Sequence, residues 1–131
     1  MAPDASSLAS SRVGATLPAA DLERAKAFYR DKLGLTPTED SPDLAIYECG
    51  GGTGIMLFPS PNAGKCPTTY AGWEVDDLEA VADELKGRGV VFEEYDTPDY
   101  KTVNGIATFE EGKAAWFKDS EGNILALSQM G

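Results

Sequence analysis

The sequence predicts an α+β fold built from two βαβββ modules. Three observations carry that reading: a motif that occurs twice, a change of hydrophobic period after each copy, and a Pro/Gly-rich stretch between the copies. The first copy runs Ala15-Thr-Leu-Pro-Ala-Ala-Asp-Leu-Glu-Arg-Ala and the second Ala71-Gly-Trp-Glu-Val-Asp-Asp-Leu-Glu-Ala-Val, so Asp21-Leu22-Glu23 matches Asp77-Leu78-Glu79. An internal repeat constrains a fold more than local propensity does, because both copies must take the same supersecondary form.

Each copy reads as a short strand running into a helix. Asp21 has the side chain of an N-cap, accepting a backbone N–H, and Glu23 suits the positive end of the helix dipole. Leu22, Ala25, Phe28, Tyr29 and Leu33 then recur at helical spacing until Gly34 supplies a stop. In the second copy Asp77 is the cap, Leu78, Val81, Ala82 and Leu85 form the stripe, and Gly87 or Gly89 ends it.

After each helix the period becomes extended. Strands are expected at residues 35–38, 44–49 and 55–58, with a glycine turn at 50–54. The second half gives strands at 90–94, 114–118 and 124–128, interrupted by a long loop with Pro98, Asp99 and Tyr100 and by the turn Asp119-Ser-Glu-Gly-Asn. The expected organisation is a disordered tail at residues 1–11 and a single domain at 12–131, made of module one (12–58), a linker (59–67) and module two (68–131).

Composition narrows the function. The 131 residues suit one compact domain, and 42% hydrophobic with 25% charged residues is an ordinary globular balance. A net charge of -11 repels phosphate backbones and anionic lipid headgroups, which argues against nucleic acid and membrane partners and leaves a cationic small molecule compatible. The start lacks a basic, apolar leader, and Cys49 and Cys66 are too few for a disulfide framework, so a cytoplasmic protein with reduced thiols is expected. With no histidine in the chain, Ser-His and Cys-His nucleophile pairs and zinc helices of the HExxH kind are excluded. The run Gly50-Gly-Gly-Thr-Gly reads as a hairpin turn, since no Lys-Ser pair or helix start follows it.

The order of these features resembles the vicinal oxygen chelate superfamily of glyoxalases, bleomycin resistance proteins and extradiol dioxygenases. The resemblance rests on both helix entries, on Phe28-Tyr29 with Leu33-Gly34-Leu35, and most specifically on the closing turn at Asp119 to Asn123 followed by Ile124-Leu125. It implies two βαβββ modules whose curved mixed sheets surround a ligand cavity, commonly completed in a homodimer. Metal-dependent members chelate a divalent ion through four side chains aimed into that cavity. Aligned on the helix entries, those positions fall on Gly14, Met56, Tyr70 and Ala126. Gly and Ala carry no donor, Met suits soft metals and Tyr is a poor ligand at neutral pH, so no metal and no cofactor are expected.

Strand alternation puts Tyr70, Gly72 and Glu74 on one face of their strand, the face of the implied ligand position, and Ala71, Trp73 and Val75 under the helices. Met56 and Phe58 share the cavity face, while Tyr100, Phe109 and Trp116 are placed to cover its mouth. The expected ligand-binding set is therefore Met56, Phe58, Tyr70, Glu74, Tyr100, Phe109 and Trp116, with Glu74 and Tyr70 as the candidate acid-base pair of any catalysis. The parity of Trp116 relative to the cavity is open at this level. Residues 96–112 are expected to form a mobile lid. The resulting reading is a glyoxalase/bleomycin-resistance-like binding protein that sequesters a small organic, cationic or aromatic ligand, as antibiotic resistance proteins do. A lyase, isomerase or dioxygenase-type enzyme of the same superfamily is the alternative, and an accessory domain without a ligand the third.

Overall fold

A computed structural model describes residues 8–130 and has the α+β architecture expected. Residues 1–7 of the expected tail lie outside the described residues; Leu8–Ser10 forms a single 3-10 turn. The first half comprises β1 (Ala15–Ala19), α1 (Leu22–Asp31), β2 (Glu39–Ser41), β3 (Leu44–Glu48) and β4 (Gly54–Pro59). The second comprises β5 (Thr69–Glu74), α2 (Leu78–Gly87), β6 (Thr102–Val103), β7 (Ile106–Thr108), β8 (Gly112–Lys118) and β9 (Ile124–Met130). Four strands form one sheet in the order β1-β4-β3-β2, and five form the other in the order β5-β9-β8-β7-β6. β1 pairs parallel with β4 and β5 parallel with β9, so the repeat seen in sequence is also a repeat of topology.

Both helices begin as their sequences dictate. Asp21 Oδ1 accepts the Arg24 N–H at 3.1 Å, and Asp77 Oδ1 accepts the Ala80 N–H at 3.1 Å, each satisfying one of the amides a helix start leaves without a partner. Gly34 and Gly89 take φ of 72° and 95° just past the two helices, a region that costs other residues strain. Gly87 is the last residue within α2, so Gly89 is the terminator. Leu22, Ala25 and Tyr29 of α1 and Leu78, Ala82 and Leu85 of α2 join one buried cluster with Leu17, Leu57, Leu125 and Leu127 from the strands. Both helices thus cover the same side of the molecule, and each fully buried Leu contributes about 1.5–3 kcal/mol. The sheets approach each other along β1 and β5 without a shared ladder.

Three expected elements differ. The strand placed at residues 35–38 begins at Glu39, because Pro37 has no N–H to donate and Leu33 and Leu35 turn their side chains to the core. The strand placed at 90–94 reduces to one bridge, Phe92 to Phe117, with Glu93 N–H donating to the Trp116 carbonyl at 2.8 Å. The reason is edge occupancy: β7 already pairs with β8 from Lys113 to Ala115 and leaves only its far end free. The loop at 96–112 contains the β6–β7 hairpin, turned by Asn104 and Gly105 at φ of 54° and 81°. Asn-Gly is the sequence signature of such a turn.

The turn at Asp119–Asn123 ties the two halves together. Asp119 Oδ1 accepts the N–H groups of Glu121 and Asn123, both at 2.9 Å, while Oδ2 accepts the Tyr29 hydroxyl at 2.7 Å and Asn123 Nδ2 at 3.0 Å. Asn123, fully buried, also donates to the Pro18 carbonyl at 2.8 Å and accepts the Gly64 N–H at 3.1 Å. Burial, the charge of Asp119 and the hydrogen bond to it all push the Tyr29 hydroxyl up, so it stays a donor. Glu121 takes the Asp21 N–H at 2.8 Å and a two-pronged bond from Arg24 at 2.8 and 3.0 Å. Burial alone would raise its carboxyl, but the bonds from Arg24, Asp21 and Ser120 and the Arg24 charge outweigh that and hold it at about 2.

Tyr29→Phe removes one donor from a buried carboxylate and is expected to cost about 1–3 kcal/mol in urea unfolding; an unchanged midpoint would show the network to be dispensable. Glu121 has its folded value below the ordinary 4.5, so its stabilisation is complete above pH 4.5 and is lost as pH falls toward 2. Melting curves of the wild type and Glu121→Gln are expected to differ most at neutral pH and to converge across that window.

Candidate functional site

The helices cover one face of each sheet and leave the other open. Directly paired residues share a face, so the ladders sort the side chains. On the first sheet Thr16, Met56 and Ile46 lie side by side on the open face, while Leu17, Leu57 and Ala45 are buried beneath α1. On the second, Gly72, Ala126 and Trp116 form an open-face row, and Trp73, Leu127 and Ala115 form the neighbouring row on the helix side. Trp116 therefore faces away from the helices, the point its sequence left undecided. Trp73 packs on the core as expected.

Trp116 anchors an aromatic cluster. Its ring centroid lies 5.2 Å from Tyr100 and 5.5 Å from Tyr95, Tyr95 and Tyr100 are 5.8 Å apart, and Phe109 is 6.1 Å from Tyr100. The planes run from edge-on, 79° between Tyr95 and Trp116, to 32° between Tyr100 and Trp116, as aromatic quadrupoles favour. A cleft of about 130 Å³ opens beside them, bounded by Tyr95, Tyr100, Trp116, Ile124 and the hydroxyl-bearing Thr68 and Thr69. Burial, then Glu93 and Tyr100, raise the Tyr95 hydroxyl, which keeps it neutral. Sequence reasoning passed over Tyr95 because it stands in the acidic run Glu93-Glu94-Tyr95-Asp96; the lone aromatic in that run was the available signal.

Two further recesses lie by the first sheet. One of about 350 Å³ takes in Arg12, Thr16, Ile46, Glu48 and Met56. The other, about 270 Å³, follows the seam of β1 and β5 and is lined by Gly14, Gly54, Gly72 and Cys49 among others. Met56 and Phe58 are half-buried in β4. Tyr100, Phe109 and Trp116 are brought together by the second sheet, whereas Met56 and Phe58 belong to the first. Glu74 is exposed and opposite Ser128 on the open face.

Tyr70 does not follow the simple alternation. A register shift between Thr69 and Ala71 makes it the extra residue of a β-bulge, and its side chain packs against the buried cluster, leaving Thr69 opposite Ile124 on the open face. Tyr70 and Glu74 consequently part company, and no acid-base pair is formed by them across one face.

The four positions implied for a metal offer no matching donor set. At Gly14 even a Cβ would stand 2.9 Å from the Gly54 carbonyl oxygen, so a longer ligand side chain there requires the backbone to move. Met56 contributes a thioether, and Ala126 lies opposite Gly72, where a Cβ would sit 3.1 Å from the Ala126 carbonyl oxygen. Among the described residues no group of three or more Asp, Glu, Cys or His is arranged to hold a metal ion. The residues present therefore do not fit a borderline or hard divalent ion.

A model of the Glyoxalase/Bleomycin resistance protein/Dioxygenase superfamily matches residues 12–127. None of the curated proteins matches the chain significantly in sequence. Among solved structures, UcmS2 is similar at a TM-score of 0.72 and 20% identity, over 91% of this chain and 97% of that one. TnmS3, described as an antibiotic binding protein from Streptomyces sp. CB03234, gives 0.69 and 25% over 93% and 97%. A glyoxalase/bleomycin resistance protein from the same Streptomyces strain gives 0.65 and 26% over 91% and 100%. At 20% identity the likeness to UcmS2 is one of fold alone.

The contact at Gly14 makes a direct forecast. Gly14→Ala is expected to destabilise the protein by about 1–3 kcal/mol, the range for forcing a methyl group into filled space. Urea titration measures it; an unchanged midpoint would mean that β1 and β4 separate freely enough to accept a side chain.

Proposed function

The chain belongs to the glyoxalase/bleomycin resistance protein/dioxygenase superfamily, and from that premise we propose that it binds a small aromatic organic molecule on the open face of its sheets without a chelated metal. The observation that carries this reading is the content of that face. Where the superfamily's metal-dependent members would place donors it has glycine, a thioether and alanine, and beside Ala126 it has Trp116 with Tyr95, Tyr100 and Phe109. A flat ring gains stacking and apolar burial from such a wall, while Thr68 and Thr69 supply hydroxyls to orient it. The charge of -11, and the carboxylates of Glu48 and Glu74 at the open face, favour a cationic ligand over an anionic one. TnmS3, whose description names antibiotic binding, supports binding over turnover. Sequestration of a toxic compound is the biological role that follows.

A homodimer belongs to the same proposal. Each chain leaves one face of both sheets without a covering layer, and a second copy related by a two-fold axis would enclose it. Among the described residues no helix is long and apolar enough to cross a membrane.

The test is a melting-temperature screen with planar aromatic amines beside neutral and anionic analogues of the same ring, since a ligand that binds only the folded state must raise the Tm. Cationic rings are expected to give the largest shifts, and Trp116→Ala to weaken binding tenfold or more, about 1.4 kcal/mol. Equal shifts for the anionic analogues would remove the charge argument, and an unaltered affinity in Trp116→Ala would move the site elsewhere. Turnover abolished by Glu74→Gln would replace binding with lyase or isomerase chemistry. Metal analysis accompanies the screen: protein made with added zinc, nickel and manganese is expected to hold no stoichiometric ion and to melt identically with and without EDTA. One ion per chain surviving dialysis would return the protein to the metal-dependent members.

A further inference from the structure

A separate recess of about 160 Å³, partly open to solvent, lies on the helix side of the sheets. Leu33 and Leu35 wall it from the segment after α1, Val81 and Leu85 from α2, and Trp73 and Leu127 from β5 and β9. It is therefore built from both halves of the chain. Every lining side chain is apolar, and the only polar side-chain atom among them is the Trp73 indole nitrogen. A water molecule needs about two to four polar partners to be held firmly, and this lining offers almost none, so an apolar group displaces poorly held water from it with a gain in affinity.

We propose that this cavity is a second binding site, for a compact neutral apolar molecule or group the size of one unsubstituted ring. It is independent of the open-face reading. The rim argues for a molecule that enters over a protein that covers. Leu33, Leu35, Trp73, Val75 and Val81 are each partly exposed, so the recess opens to solvent and a small molecule can reach it, while none of the lining belongs to the most exposed large apolar side chains. A stable protein interface needs about 800 Å² per side, far more than a recess of about 160 Å³ supplies. The lining also explains what occupancy does. A ring seated between Leu33 and Leu35 on one side and Val81 and Leu85 on the other touches both modules and stabilises their docking.

Benzene is the probe, titrated into the full-length protein and read by methyl NMR and by melting temperature. Perturbations are expected at Leu33, Leu35, Val81, Leu85 and Leu127, with Ile46 and Met56 of the open face unmoved and the Tm raised by a few degrees. Val81→Phe, which fills the void, is expected to abolish both effects while keeping the native fold; Leu35→Phe is the second filling variant should the first fail to fold. No response at saturating benzene overturns the proposal, as does a response confined to open-face methyls. Neither result bears on the binding of aromatic amines at Trp116.

Discussion

The carboxylate of Asp119 is the constraint from which the rest of the structure follows. Its two oxygens accept four hydrogen bonds, two from its own turn and two that position Asn123 and Tyr29. Through them the end of β8 is fixed against α1, and Asn123 carries the link onward to the end of β1 and to Gly64 in the connecting segment. A buried donor or acceptor left without its partner costs about 1–3 kcal/mol, so a network this complete penalises any other docking of the two halves. Glu121 adds a charged contact to the start of α1, which gives that helix a cap contributed from the far module. The second helix is served differently: Gln129 of β9, from its own module, accepts the Leu78 N–H. The duplicated topology is therefore held by contacts that are not duplicated.

How much of this was legible depends on how local the governing chemistry is. The helix starts at Asp21 and Asp77 were readable because cap and amide lie three residues apart. The turn at Asp119 was recognisable, but nothing nearby in sequence says that its partners are Tyr29 and Pro18. The expected strand at 90–94 has the right alternation, with Val90 and Phe92 buried and Val91 exposed; what it lacks is a free edge, which β7 decides. Asn104-Gly105 was a readable hairpin signal that the surrounding Pro98, Asp99 and Tyr100 outweighed. At the site, the ladder partner Ala126 gives Trp116 its face, and a single bulge takes Tyr70 off the face that alternation assigned it. Neither register nor bulge has a residue that announces it here.

On the proposed reading, the open face exchanges one kind of recognition for another. Chelation demands a few atoms at fixed distances, and at Gly14, where an added Cβ would already stand 2.9 Å from a carbonyl oxygen, a donor side chain needs the backbone to shift. Stacking demands only area and an approximate plane. The cluster at Trp116 meets that looser requirement with rings from three different segments, at residues 95, 100–109 and 116, each tolerating small shifts that a metal site would not.

The sequence distance spanned by the Asp119 turn has a consequence for how the protein is made. Tyr29 waits for a partner 90 residues later, the Asp21 amide for one 100 residues later, and the Pro18 carbonyl for one 105 residues later. On the ribosome, where the amino-terminal part of a chain emerges first, α1 and β1 must therefore stand incomplete while nearly all of the second module is synthesised. Contacts of such separation also slow folding, because chain closure precedes any gain from them. The first module is thus the part that a nascent chain exposes longest, and its buried contacts close only once Asn123 has emerged.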